Sequence, residues 1–138
     1  PYSGQSFPGY EDIDLSFDEL ESLVKNDRQD WKAALSNVKG IYLISDTSTA
    51  TGKRYVGSAY SDGGIWSRWS SYVASGHGGN IGLKELVEKH GLAYCRAHFR
   101  FALLEHRSVL TDKKVIENRE TYWKDILLSR GKGGFNRN

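Results

Sequence analysis

Two tyrosines on short apolar runs, Tyr42 and Tyr55, an arginine inside a helical pattern, Arg68, and two glutamates in the last long element, Glu117 and Glu120, are the side chains best suited to chemistry. A guanidinium can hold a phosphate or carboxylate through two parallel donors, which the point charge of a lysine cannot imitate. A carboxylate can hold a hard divalent cation through oxygen. A phenol ordinarily titrates at about 10, so it accepts a proton near neutrality only with help from neighbouring cations or a histidine. His77, in Gly76-His77-Gly78-Gly79, is a histidine placed to give such help. Taken singly, each side chain has a plainer use: strand tyrosines pack, helix-edge arginines are solvated, and a glutamate at the border of a helix face pairs with a neighbour such as Lys124. Singly, those plainer uses win.

The chain supplies elements to position them. Gly40-Ile41-Tyr42-Leu43-Ile44 is a short β-branched and aromatic run, followed by the polar turn Asp46-Thr47-Ser48-Thr49 and by Arg54-Tyr55-Val56-Gly57 as its hairpin partner. Ile65, Trp66, Trp69, Tyr72 and Val73 share one side of a helical wheel, which carries Arg68 at its border. A glycine-rich loop leads to a further helix ending near His90-Gly91. Ala97, Phe99, Phe101 and Leu103 alternate with Arg96, His98 and Arg100, the period of a half-exposed third strand. A last helix from about Asp112 to Ser129 shows a stripe of Ile116, Arg119, Trp123, Ile126 and Leu127. Upstream, the first fifteen residues show no period and read as an extended arm or linker. Ser16 and Glu19 then stand at capping-box spacing ahead of Leu20, Leu23 and Val24, and a second short helix buries Trp31, Ala34 and Leu35 before Asn37.

Gly40-Ile41-Tyr42 and Tyr55-Val56-Gly57, followed by Ile65-Trp66-Ser67-Arg68-Trp69-Ser70-Ser71-Tyr72, then Glu120-Thr121-Tyr122-Trp123 and Gly134-Phe135-Asn136, resemble the ordered motifs of the GIY-YIG nucleases. That family includes excision-repair subunits, homing endonucleases and some restriction enzymes. The resemblance spans residues 40 to 136, about two thirds of the chain. It implies an α+β fold with a small three-stranded antiparallel sheet flanked by helices, residues 39–138 forming the nuclease domain and residues 1–38 an N-terminal arm and helical extension. It further implies a metal-dependent endonuclease that hydrolyses DNA phosphodiester bonds, leaving a 5′-phosphate and a 3′-hydroxyl. In that scheme Tyr42 accepts the proton of the attacking water, with His77 or a metal-bound hydroxide assisting. Tyr55 hydrogen-bonds the phosphate or the water, and Arg68 stabilises the scissile phosphate. Tyr72 contacts the phosphate or packs, and Asn136 fixes the site through its amide. One Mg²⁺, or Mn²⁺, sits on Glu120, with waters and the substrate phosphate filling its other positions, so the ion binds with the nucleic acid. Glu117 is the other candidate for that ligand. With Trp123 as the centre of the last helix's stripe, Glu120 falls about 60° away and Glu117 about 120°, so Glu120 borders the core and Glu117 faces water. Arg68 comes eleven residues after Gly57, so Tyr60-Ser61-Asp62-Gly63-Gly64 is a short insertion relative to compact members. The alternative is a catalytically silent nucleic-acid-binding module of the same fold.

Bulk properties agree with a single compact domain: 138 residues, 38% of them hydrophobic. The net charge of +2 hides an asymmetry, with −5 over residues 1–38, +2 over 39–95 and +5 over 96–138. A cationic C-terminal half suits a nucleic-acid partner, and the acidic N-terminal helices could shield that face or dock a partner. No apolar run is long enough to span a membrane. Cys95 stands alone, so no internal disulfide can form; it is expected to be buried, in a reducing, cytoplasmic setting. The chain opens at Pro1 without methionine, in keeping with a part of a larger polypeptide; a dimer would let one site serve both strands. Position 81 is Ile where a dinucleotide fingerprint needs glycine, and the four histidines lack zinc spacing.

Overall fold

A computed structural model describes residues 5–49 and 51–138 of the chain. Of the expected N-terminal arm, residues 1–4 lie outside the described residues; the rest is not all arm. After a 3-10 turn at Tyr10–Asp12, β1 (Asp14–Ser16) pairs antiparallel with the strand near the C-terminal half, so the sheet has four strands rather than the expected three. Ile13, Leu15 and Phe17 alternate inward and are buried, which is a two-residue period too short to stand out in the sequence. Ser16 then caps α1 (Phe17–Lys25): its hydroxyl accepts from the Glu19 amide at 3.1 Å while the Glu19 carboxylate accepts from the Ser16 amide at 2.9 Å. In α2 (Gln29–Ser36), Trp31 and Leu35 are buried and Ala34 half-buried.

β2 (Val38–Asp46) and β3 (Arg54–Ala59) form the expected hairpin. Next come α3 (Gly64–Ser75), α4 (Ile81–His90), α5 (Leu92–His98), β4 (Phe99–Ser108) and α6 (Lys113–Leu127). All pairings are antiparallel in the order β1-β4-β2-β3. The expected strand start at Ala97 is corrected: residues 96–98 finish α5, and pairing begins at Phe99 opposite Asp46. Polar ties favour that helix over an earlier strand, since the Tyr94 hydroxyl donates to Asp46 at 2.5 Å and Cys95 is buried against the Gly76 carbonyl.

The two faces of the sheet are covered differently. Tyr42, Ile44, Tyr55 and Phe101 pack with α1, α2 and α3 in the main core, to which Leu20, Leu23, Trp31 and Leu35 belong. Ile41 and Val56 meet Ile116 of α6 on the other face, with Leu43, Leu104, Trp123 and Leu127 around them. The buried face of α6 is rotated from the expected stripe: Ile126 is 56% exposed, while Lys124 is buried. The rotation follows polar anchors. Trp123 donates through Nε1 to Glu105 at 2.9 Å, and Lys124 is turned in toward Glu120.

Candidate active site

β3 is an edge strand, and its alternation sends successive side chains to opposite faces of the sheet. Tyr55 points with Tyr42 toward α3; Ser58 points toward α6. A cleft of about 630 Å³ lies across this edge, lined by Tyr55 and Ser58 of β3, Arg68 of α3, and Glu117, Glu120 and Lys124 of α6, with Asn80 at the rim. The inserted loop contributes Tyr60, Ser61 and Asp62. Asn136 backs the edge: its Oδ1 accepts from the Val56 amide at 2.8 Å and its Nδ2 donates to the Val56 carbonyl at 2.9 Å. One side chain thus replaces a missing strand neighbour, and Asn136 acts from behind the cleft.

Arg68 is half-buried at the centre. Its Nε donates to the Tyr42 hydroxyl at 3.2 Å. Nη1 donates to the Gly78 carbonyl at 2.9 Å and to Ser71 Oγ at 3.4 Å, and Nη2 to the Tyr72 hydroxyl at 3.4 Å. Burial works against its charge, yet the phenol oxygens of Tyr42 and Tyr72 hold the guanidinium charged beyond an ordinary arginine. The Tyr42 and Tyr72 hydroxyls bond each other at 2.7 Å. Arg68 donates to both phenol oxygens, so either O–H can be the donor in the bond between them.

Tyr42 itself is fully buried, does not line the cleft, and sits behind Arg68. Burial, with Tyr55 beside it, pushes its pKa up despite the opposing pull of Arg68. Burial also raises Tyr72. Both phenols are therefore neutral over the physiological range. Gly57, directly across from Tyr42 in the hairpin, is what admits the ring: a methyl group there would lie 2.5 Å from the Tyr42 hydroxyl.

Glu120 Oε1 accepts from Ser58 Oγ at 2.5 Å, and Oε2 pairs with Lys124 Nζ at 2.7 Å. Its side chain is 22% exposed, whereas Glu117 is exposed to water, as the wheel implied. Among the described residues no group of three or more His, Cys, Asp and Glu could enclose a metal ion. The donors present are all oxygen, from Glu120, Ser58 and Glu117, and they fit a hard cation that keeps most of its water.

The structure thus gathers Tyr55, Arg68 and Glu120 on one cleft, with Tyr42 and Tyr72 in a layer behind Arg68. His77 is not brought to the cleft. Its Nδ1 accepts from the Gly79 amide at 2.9 Å, which folds the loop so that the neighbouring Gly78 carbonyl meets Arg68. Ser58 and Asn80 join the cleft without having been singled out, and Lys124 pairs with Glu120 as the plainer use of a border glutamate expects. Ser58 was legible from the β3 alternation, and Asn80 as the N-cap that accepts from the Leu83 amide at 3.0 Å.

No protein-family model matches the chain, and no curated protein does. Two solved structures are similar to it. One is the catalytic domain of the homing endonuclease I-TevI, 31% identical with a TM-score of 0.51, covering 72% of this chain and 98% of that one. The other is a mutant form of the intron endonuclease I-TevI catalytic domain, 29% identical with a TM-score of 0.53, covering 73% and 94% respectively.

Proposed function

Since the chain belongs to the GIY-YIG nuclease family, we propose that it is a metal-dependent endonuclease hydrolysing a phosphodiester bond of DNA in the cleft between β3, α3 and α6. What supports this most is the meeting of Tyr55, Arg68 and Glu120, from three separate elements, on one polar cleft. Arg68 receives the scissile phosphate by exchanging its long contacts to Ser71 and Tyr72, both 3.4 Å, for phosphoryl oxygens. Tyr55 hydrogen-bonds the phosphate or the attacking water from the cleft wall. Tyr42 is neutral at rest, with its hydroxyl held by Arg68 and Tyr72, so for it to accept the water's proton its own O–H proton must first pass to solvent. Glu120, with Ser58 beside it, would hold Mg²⁺ or Mn²⁺, which when bound supplies charge stabilisation at the phosphoryl oxygens and a more acidic water.

The second reading, a silent nucleic-acid-binding module, has one observation on its side: both Glu120 oxygens already have partners. Nicking of supercoiled plasmid separates the two. The endonuclease is expected to nick with Mg²⁺ and stop on chelation, and Tyr42→Phe and Glu120→Ala are each expected to lower the rate by about 10²-fold or more. Binding without nicking would favour the module, and nicking that survives both substitutions would remove these residues from the mechanism.

A further inference from the structure

Lys124 is the one buried lysine among the described residues, 4% exposed. Lysine is almost never withdrawn from water without a partner, because an unpaired buried ammonium is costly. Its carboxylate partner among the described residues is Glu120, at 2.7 Å one helical turn earlier; its other contacts are the main-chain oxygen of Asn138 at 3.4 Å and the Asn138 Oδ1 at 3.2 Å. Glu120 is thus compensated, charge for charge, by an ammonium that is also held by Asn138. Arg68 adds a second fixed positive charge to the same cleft.

A divalent ion arriving alone at Glu120 therefore meets a carboxylate already paired with an ammonium and, on the same cleft, Arg68, with Asp62 and Glu117 the other acids of the lining; one arriving with a phosphate meets fresh negative charge between the two cations. We propose that Lys124 makes divalent-ion binding at Glu120 conditional on a phosphate, so that ion and nucleic acid bind as a pair. This rests on the endonuclease reading above, in which Glu120 is the ion's ligand. Lys124 is in this sense a positioning residue that acts through Glu120. Linkage makes the effect reciprocal: whatever factor the phosphate adds to ion affinity, the ion adds to nucleic-acid affinity.

The test is Mn²⁺ binding to the full chain without nucleic acid, the free ion being counted by its electron paramagnetic resonance signal. Lys124→Met keeps the length of the side chain and removes its charge, and is expected to bind Mn²⁺ about tenfold more tightly than the unaltered chain. Lys124→Gln, which keeps polar contacts to Asn138, is expected to do the same, and a cooperative melt verifies that each variant is folded. Folded variants that bind Mn²⁺ no tighter than the unaltered chain would overturn the proposal. Glu120→Gln in the Lys124→Met chain, which strands no buried ammonium, sorts the failures. If it leaves Mn²⁺ affinity untouched, the ion is not on that carboxylate and both readings fall. If it removes binding while Lys124→Met alone matches the unaltered chain, only the conditional role of Lys124 falls.

Discussion

Arg68 shows how much of a site can be stored in one side chain. Four of its five N–H donors are engaged inside the protein, on two phenols, a hydroxyl and a backbone carbonyl, so its plane is set before any substrate arrives. Lysine could restore the charge and not the fork. Arg68→Lys is expected to lower single-turnover nicking by about 10²–10³-fold with a smaller change in DNA affinity; equal losses in both would mean that the residue only binds. Glu105 does comparable work away from the cleft, accepting from Arg119 Nε at 2.6 Å, Trp123 Nε1 at 2.9 Å and Arg107 at 3.1 Å, and so fixing α6 on the sheet. Burial works to raise its pKa, but the hydrogen bonds from Arg119, Trp123 and Arg107 hold it below the usual carboxylate range. A depressed folded-state pKa contributes stability above the unfolded value, and that contribution is lost as pH falls through the folded one. Glu105→Gln should therefore melt lower than the unaltered chain at neutral pH, with the gap closing in acid. A gap that stays constant down the titration would show that the charge of Glu105 contributes nothing.

At the scale of elements, the hairpin is where chemistry and folding constrain each other. Tyr42 needs room for its ring, and Gly57 opposite provides it; Gly57→Ala forces the methyl onto the ring and should cost about 1–3 kcal/mol in chemical denaturation. Asn136→Ala strips two bonds from the Val56 backbone and should cost a similar amount, about 1–3 kcal/mol, while also blunting nicking, because the Tyr55–Ser58 edge loses its support. A variant of either kind as stable as the unaltered chain would mean that the edge is held elsewhere. The hairpin, α3 and the more sheltered position of Glu120 than of Glu117 were legible because each rests on a local period or spacing. β1 was not: three residues give one and a half repeats, and its partner lies far along the chain at β4. Ala97 was misplaced because its alternation with Phe99 continues through the last turn of α5, where pairing is decided by Tyr94 and Cys95 rather than by pattern. The buried pose of Tyr42 behind Arg68 was equally hidden, since period says which face a side chain takes and not what stands in front of it.

Across the whole molecule, the acidic N-terminal third behaves as structure before it can behave as a shield. Leu15, Phe17, Leu20, Leu23, Trp31 and Leu35 are all buried in the same core as Tyr42, Trp69 and Phe101. The 3-10 turn adds Tyr10, whose ring stacks on His106 at 4.3 Å and whose hydroxyl donates to the Ala34 carbonyl at 2.9 Å. Removing residues 1–36 would therefore expose the α3 face of the sheet, so deleting them cannot isolate an electrostatic effect from loss of the core. The expected outcome of that deletion is loss of cooperative thermal unfolding, seen by near-ultraviolet circular dichroism. A shielding role has to be tested by charge alone, on exposed side chains outside the core: Glu11, Asp12 and Asp18, each changed to Gln or Asn. If the acidic third screens the cationic half, the triple variant binds DNA more tightly at low salt, and its advantage shrinks as salt screens the added attraction. An unchanged affinity across the salt series would assign residues 5–36 to holding the α3 face of the sheet and to nothing electrostatic.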